Sequence, residues 1–205
     1  ELTADLLKQY YPNSDANDNK YTTVLLRNIV FNTDGSLLVI GEEYKEDSYL
    51  TSSGDSRFTY VHNSIVVHSI ANDGSLKWAQ KVGKHQYGNN NRVGLGFNII
   101  TRNNIAYAIF LDNIKNLNIK PDTYPAQHTA GYNGYLMEVR IDDKGVMSKK
   151  VILNTNEAEL TIEVAKAQKV SENTLVLSTH KGVNKLLGGH ESDGKPGKIC
   201  ILRVE

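Results

Sequence analysis

Four acidic residues lie in or beside apolar segments and are the residues that the sequence best places for acid–base chemistry. They are Glu42, Glu43, Asp112 and Glu138. Two carboxyl groups held about 5–10 Å apart can act as acid and base on a glycosidic bond. This pattern defines one hypothesis, a glycan-active hydrolase. The alternative, which the sequence favours for each residue, is a solvated surface role.

The sequence contains none of the common motifs of nucleophilic or metal catalysis, such as Gly-x-Ser-x-Gly or His-Glu-x-x-His. His62 and His68 could face the same side of a strand, but roughly 20 Å apart, which is too far to share a metal. The segment 13–19 alternates oxygen donors. A calcium loop that began at Asp15 would nevertheless place Leu26 where a bidentate glutamate is needed. We therefore predict structural or solvated histidines, no metal site and no cofactor.

Aromatic residues beside two long polar segments are the second set of candidates. Aromatic side chains on loops commonly bind carbohydrates and peptides. On this basis Tyr49, Phe58 and Tyr124 are the predicted ligand-binding residues. The alternative is that the neighbouring tyrosines, Tyr44 and Tyr60 among them, are strand residues that pack between sheets. The candidates favour a non-catalytic binding module with a glycan or protein ligand over the hydrolase.

A repeat of about 70 residues positions all of these side chains. Ile70 and Gly74 recur as Ile141 and Gly145, 71 residues later, and Ile141 recurs as Val204 after a further 63. Each unit has the order strand, turn, strand, long variable segment, strand, turn, strand. The units span about 24–82, 92–153 and 164–204, and the third lacks its fourth strand.

The apolar pattern of the strands predicts how the units pack. Segments 37–40 and 105–111 are nearly continuous in apolar residues. A strand with one wet face alternates, so these strands should be covered on both faces. Trp78 should likewise pack between sheets. An all-β chain of propeller-like, antiparallel four-stranded blades is the favoured fold, and a β-sandwich is the alternative.

The repeat also divides the chain. Residues 1–20 are predicted to form a polar segment or short helix, and residues 21–205 the propeller-like repeats. Segments 45–57 and 113–131 occupy the same position in successive units. We expect them to be long loops that emerge on the same rim.

The number of units predicts partners for this chain. Closed propellers have about four to eight blades, so fewer than three complete units do not close a ring. We expect additional blades, either from the same precursor or from another chain. The isolated chain should be poorly stable or oligomeric, because its end units would expose sheet faces and an unpaired strand edge.

Composition limits the remaining classes. Lys and Arg number 23, as do Asp and Glu, which argues against a nucleic-acid partner bound through bulk charge. No apolar run approaches the ~20 residues of a membrane span. The single cysteine, Cys200, excludes an intrachain disulfide. Only segments 2–11 and 157–167 favour short helices.

Several strings together resemble uncharacterised secreted proteins of Bacteroidetes bacteria. They are Gly41-Glu42-Glu43-Tyr44, Asn63-Ser64-Ile65-Val66-Val67, the segment 73–82 with its Asp-Gly turn and tryptophan, Lys84-His85-Gln86, Glu157-Ala158-Glu159 and Gly197-Lys198-Ile199. The resemblance covers most of residues 21–205 and departs from the family pattern at Gly83, where proline is more usual. It implies propeller-type repeats, a periplasmic or extracellular location and further sequence before Glu1. It implies no activity.

Overall fold

The computed structural model describes residues 23–120, 123–130, 134–181 and 196–204 of the chain. Within these ranges the chain forms fourteen β-strands and two short 3-10 helices, and no α-helix. The all-β prediction is therefore confirmed. The expected polar segment or helix at residues 1–20 lies outside the described residues. No helix in the described ranges is long and apolar enough to cross a membrane.

The described strands form three sheets. In chain order they are β1 Thr23–Phe31, β2 Leu37–Leu50, β3 Ser56–Ile70, β4 Leu76–Val82, β5 Gln86–Asn89, β6 Phe97–Arg102, β7 Ile105–Asp112, β8 His128–Thr129, β9 Tyr135–Ile141, β10 Met147–Asn154, β11 Leu160–Ile162, β12 Gln168–Ser171, β13 Thr174–Lys181 and β14 Pro196–Arg203. Sheet A contains β1–β5 and β8, sheet B has the order β10-β9-β7-β6, and in sheet C β11, β12 and β14 all pair with β13. All pairings are antiparallel except β5 with β8.

The same tight turn recurs at the hairpins, as the Asp-Gly pattern predicts. Gly35, Gly74 and Gly145 have φ angles of 81°, 85° and 82°, which an L-residue with a side chain rarely adopts. In one of these turns the Asp73 carboxylate accepts hydrogen bonds from the backbone N–H and the hydroxyl of Ser75. Local chemistry therefore fixes the hairpin register.

Sheet B lies between sheets A and C and is covered on both faces. One core cluster joins sheets A and B through Leu38, Ile40, Ile65, Val67, Val82, Ile99, Ala106, Ala108, Phe110, Met137, Val139 and Ile141. A second joins sheets B and C through Ile100, Tyr107, Ile109, Leu111, Leu136, Ile162, Val164, Ala167, Leu175, Leu177, Leu202 and Val204. Residues of β7 alternate between the two clusters, which explains why this strand is apolar throughout. The sheets do not close, and the stack is compatible with a partial propeller or a sandwich.

Trp78 links sheets A and B at their turn ends. Its indole Nε1 donates a hydrogen bond to the carbonyl of Asp143, at 2.9 Å. A Cβ atom on Gly145 would lie 3.0 Å from the indole ring, so the absence of a side chain there permits the contact. Trp78 thus packs between neighbouring sheets, as expected.

The expectation of a long loop at 45–57 is wrong. Strands β2 and β3 continue as a paired hairpin as far as Leu50 and Ser56, and a tight turn at 51–55 connects them. Gly54, at φ 85°, allows this turn. The hairpin was missed because its two faces are largely exposed, so its residues are polar and lack the apolar pattern that identifies a buried strand.

The described part of segment 113–131 is irregular, as expected of a loop. It contains a 3-10 helix at Ile114–Asn116 and the two-residue strand β8. Residues 121–122 and 131 lie outside the described residues.

The expectation of a helix at 157–167 is also wrong. This segment forms a turn, strand β11 and a 3-10 helix at Val164–Lys166. Glu159 has a positive φ of 52°, which breaks a helix. Ile162 and Val164 are buried between sheets B and C, so tertiary packing overrides the helical propensity of the Glu- and Ala-rich residues.

Candidate functional site

The four carboxylates considered for acid–base chemistry are buried, so the solvated surface role that the sequence favoured for each is wrong. Each has a cationic partner. Glu42 pairs with Lys84 and Arg27, Glu43 with Lys81, Asp112 with Lys149, and Glu138 with Lys150. The alternation along β2 puts Glu42 on the face toward sheet B and Glu43 on the opposite face. Glu138 lies on the face of sheet B that meets sheet C. The structure therefore does not bring the four together in one pocket.

Glu42 and Lys84 form a buried ion pair at the interface of sheets A and B. Lys84 Nζ lies 2.7 Å from Glu42 Oε1, and both residues are 1% exposed. The ammonium also donates to the carbonyl oxygen of His62 and to Gln86 Oε1, each at 3.2 Å. Although burial lowers the pKa of Lys84, its three donors have three acceptors, which supports the charged form.

The second oxygen of Glu42 faces Arg27 and His62. Arg27 donates from Nε at 3.0 Å and from Nη2 at 2.6 Å. His62 Nδ1 lies 3.1 Å away, but without the alignment of a hydrogen bond. Burial raises the pKa of Glu42, while Lys84 and His62 lower it more strongly, and the pKa falls to about 2. Glu42 is thus ionised at neutral pH and has no proton to donate as an acid.

Gln86 connects this ion pair to sheet B. Its side-chain amide donates to the carbonyls of Leu111, at 2.7 Å, and Gly96, at 3.3 Å. Its Oε1 accepts from the backbone N–H of Gly96, at 2.8 Å. The side chain satisfies backbone groups at the start of β6 and near the end of β7, and so holds the two sheets in register.

Asp112 and His128 are two further buried ionisable residues. Asp112 Oδ1 accepts from Asn116 Nδ2 and from the backbone N–H of Asn113, whereas Oδ2 has no hydrogen bond. Burial raises the pKa of Asp112, although nearby Lys149 opposes the rise. Burial, with a smaller effect from Lys84, lowers the pKa of His128 to about 4. His128 is therefore neutral at pH 7.

An open cleft of about 320 Å³ is lined in part by Arg27 and His62, the two residues that face the second oxygen of Glu42. Side chains of β1, β2 and β3 form one wall, the connection before β6 forms the second, and the 3-10 helix before β12 forms the third. Its lining residues are Arg27, Tyr44, His62, Arg92, Gly94, Leu95, Glu163, Ala165 and Lys166. Strands of sheet A thus meet, at the cleft, the segments that lead into β6 of sheet B and β12 of sheet C.

Cation–aromatic contacts shape the wall formed by sheet A and join it to the connection before β6. The guanidinium of Arg92 lies 4.0 Å from the centre of the Tyr60 ring, and that of Arg27 lies 5.5 Å from the centre of the Tyr44 ring. His62 meets the Tyr44 ring edge-on, at 4.8 Å. Burial and a hydrogen bond to Glu46 raise the pKa of Tyr44 to about 12, so its hydroxyl stays protonated. These two walls therefore present cations on a rigid aromatic support.

The three aromatic residues predicted to bind a ligand lie apart. Phe58 stacks on Tyr60, with ring centres 6.4 Å apart, and lies on the same face of β3 as His62 but outside the lining of the cleft. Tyr49 pairs with Arg57, the residue next to Phe58 in β3. Because neighbouring strand residues face opposite sides, Tyr49 lies on the face of the hairpin opposite to Phe58. Tyr124 packs against His85, with ring centres 5.1 Å apart. A binding role for these three residues stays a prediction.

Sequence reasoning missed most residues of the cleft, including His62. An extra residue in β3, at the register shift between Glu42 and Tyr44, puts His62 on the face toward sheet B and His68 on the other. The two histidines therefore do not share a face. A signal that could have found part of the cleft is the segment just before β6 and the one just before β12, because both converge on β1.

No family model, curated protein or solved structure matches this chain. Within the described residues, no group of three or more His, Cys, Asp or Glu side chains is arranged to hold a metal ion. The candidate site therefore rests on the geometry of the cleft.

Proposed function

We propose that this chain is a non-catalytic binding module and that its cleft takes an acidic glycan. The observation that carries the proposal is the pair of guanidinium groups, from Arg27 and Arg92, that aromatic rings support at an open cleft. Guanidinium groups bind carboxylates through paired, charge-assisted hydrogen bonds. A uronic acid supplies such a carboxylate, and the partly exposed ring of Phe58, stacked on Tyr60, lies on the same face of β3 beyond Arg92.

The charges of the cleft favour an anionic ligand. Behind its wall, two cations, Arg27 and Lys84, share one carboxylate, Glu42. On the opposite wall, the carboxylate of Glu163 is paired with Lys166. Arg92 is balanced by Glu46, at 2.9 Å, and is largely exposed, so a ligand carboxylate can compete for it. The local excess is therefore positive, and a partly enclosed cleft strengthens its effect compared with bulk water.

The hydrolase hypothesis has less support. An acid–base pair needs one carboxyl group that keeps a proton near neutral pH beside a second that is ionised. Glu42 is held ionised, and Glu43, Asp112 and Glu138 each contact a lysine and do not line the cleft. The binding function needs no such pair.

The setting of this module is also a proposal. The stacked, repeated sheets support a propeller scaffold with further sheets from the same precursor or from another chain. The resemblance to secreted Bacteroidetes proteins supports a periplasmic or extracellular location.

The binding proposal can be tested with oligogalacturonic acid and with neutral galactose oligomers of the same length as probes. Calorimetry should detect binding of the acidic oligomer alone. Arg92→Gln should weaken it roughly 10- to 100-fold, the effect of losing a hydrogen bond to a charged group. Arg57→Gln is the matched control, because Arg57 lies on the face of the β2–β3 hairpin opposite to Tyr60, the ring on which Arg92 stacks.

Three outcomes would contradict the proposal. They are equal binding of the neutral oligomer, equal losses in the two arginine variants, and no binding of either oligomer. Release of shortened oligomers by the unmodified chain would instead support the hydrolase.

A further inference from the structure

The two outer faces of the stack of sheets are apolar and exposed. On the outer face of sheet A, Ile29 and Phe31 are 47% and 80% exposed. Val30, between them, points inward and packs against the core of sheets A and B. On the outer face of sheet C, Ile199 and Ile201 are 76% and 59% exposed. Contiguous exposed apolar surface of this kind marks an interaction site.

The repeat shows what kind of surface the outer face of sheet A is. Because Gly74 corresponds to Gly145, residues Val66 and Ile70 of β3 correspond to Met137 and Ile141 of β9. Met137 and Ile141 lie on the face with which sheet B packs on sheet A. Val66 and Ile70 lie on the outer face of sheet A, opposite Ile65 and Val67. The outer face of sheet A therefore corresponds, in the repeat, to the face of sheet B that packs on sheet A.

The outer face of sheet C corresponds, in the repeat, to the face of sheet B that packs on sheet C. Val204 corresponds to Ile141, so Leu202 and Ile199 correspond to Val139 and Leu136. Leu202 packs toward sheet B, as Val139 packs toward sheet A. Ile199 points away from sheet B, as Leu136 points toward sheet C. The three sheets therefore stack in the same orientation. The outer face of sheet C and the outer face of sheet A correspond to the two surfaces that meet wherever neighbouring sheets pack together.

We propose that the outer face of sheet C in one copy packs on the outer face of sheet A in a second copy, head to tail. The contact would continue the packing already present between sheets A and B and between sheets B and C. A head-to-tail contact closes into a ring when its rotation permits. Two copies with three sheets each supply six, within the range of about four to eight in closed propellers. This inference rests on the proposed repeat scaffold and not on the cleft.

Two double variants test the contact. Ile199→Lys with Ile201→Lys disables the outer face of sheet C, and Ile29→Lys with Phe31→Lys disables that of sheet A. In sedimentation, the unmodified chain should form a dimer and each double variant a monomer. An equimolar mixture of the two variants should form a one-to-one dimer, because one intact interface remains between them. Val146→Lys is the control, since Val146 is 61% exposed but lies in a turn of sheet B.

The outcomes separate this contact from other arrangements. A monomeric unmodified chain, or a mixture that stays monomeric, would overturn the proposal. Dimers of either double variant alone would also overturn it, because they would indicate a symmetric contact or another surface. Far-ultraviolet circular dichroism and urea unfolding check that the variants are folded. Because none of the substituted residues lines the cleft, loss of glycan binding and loss of association are separate results.

Discussion

Lys84 and Glu42 form an ion pair, 2.7 Å from Nζ to Oε1, in which neither side chain is exposed to more than 1%. Such a pair contributes little net stability compared with apolar residues of the same size, since both charges lose their hydration. Removing Glu42 would leave the Lys84 ammonium buried without its paired carboxylate, whereas removing Lys84 leaves Glu42 paired with Arg27 alone. The pair therefore fixes how sheets A and B meet, since Lys84 also binds Gln86, which reaches sheet B.

We expect Lys84→Met to destabilise the chain by about 1–3 kcal/mol, because the buried Oε1 of Glu42 loses its hydrogen-bond partner while Arg27 still pairs with the carboxylate. Urea unfolding measures this change. Lys45→Met is the control, because Lys45 and Asp47 form an exposed pair and should contribute less than about 1 kcal/mol. The double variant Lys84→Met with Glu42→Leu should recover much of the loss. Equal effects of the Lys84 and Lys45 variants would contradict the buried pair.

Acid should remove stability through Glu42. Its pKa is about 2 in the folded chain against an ordinary value of 4.5, so the unfolded chain binds more protons between these pH values. The contribution is present above pH 4.5 and is lost as the pH falls toward 2, by roughly 3 kcal/mol. Urea unfolding at a series of pH values should show this slope, and Glu42→Gln should flatten it. If Glu42→Gln left the slope unchanged, the loss of stability in acid would not come from Glu42.

His128 should act in a higher pH window. Its pKa is about 4 when folded against 6.5 ordinarily, so between these values the unfolded chain carries the extra proton. Stability is therefore present above pH 6.5 and falls by roughly 3 kcal/mol as the pH drops through 4. His128→Asn should flatten the profile in this window, whatever its effect at neutral pH. His85→Asn, at a half-buried position, should flatten it less.

The sequence predicted the parts of the fold that burial controls. β7 is apolar throughout because both of its faces are covered. The tight turns are recognisable in the sequence because each needs a glycine with a positive φ angle. The exposed hairpin at 45–57 has no such signal, because solvated strand residues are polar like those of a loop. The helix expected at 157–167 failed because packing against sheets B and C outweighs local propensity.

The cleft was less predictable than the fold. Arg27, Arg92 and Lys166 are ordinary surface cations in the sequence, and only the stacking of three sheets brings them together. Glu42 and Asp112 resemble catalytic acids in the sequence, because a buried carboxylate and a reactive one are both flanked by apolar residues. Their partners, Lys84 and Lys149, lie 42 and 37 residues away, so only the tertiary structure identifies them.

Gly145→Ala should be more destabilising than Gly74→Ala, although the backbone strain is the same. The φ angles are 82° and 85°, and an alanine in this conformation costs about 1–2 kcal/mol at either position. A Cβ at residue 145 would lie 3.0 Å from the Trp78 ring, whereas one at residue 74 would meet nothing within 4 Å. Displacing the indole also weakens its hydrogen bond to Asp143, and we expect an additional loss of about 1–3 kcal/mol.

A double-mutant cycle with Trp78→Ala separates the two causes of that difference. If the indole is responsible, Gly145→Ala should cost no more than Gly74→Ala once Trp78 is removed, because backbone strain alone remains. Urea unfolding of the five variants, the three single substitutions and the two double ones, gives the coupling energies. Coupling between Trp78 and Gly74 should be close to zero, since no contact joins them. Equal coupling of Trp78 to both glycines, or none to Gly145, would show that the tryptophan does not hold sheets A and B together at this turn.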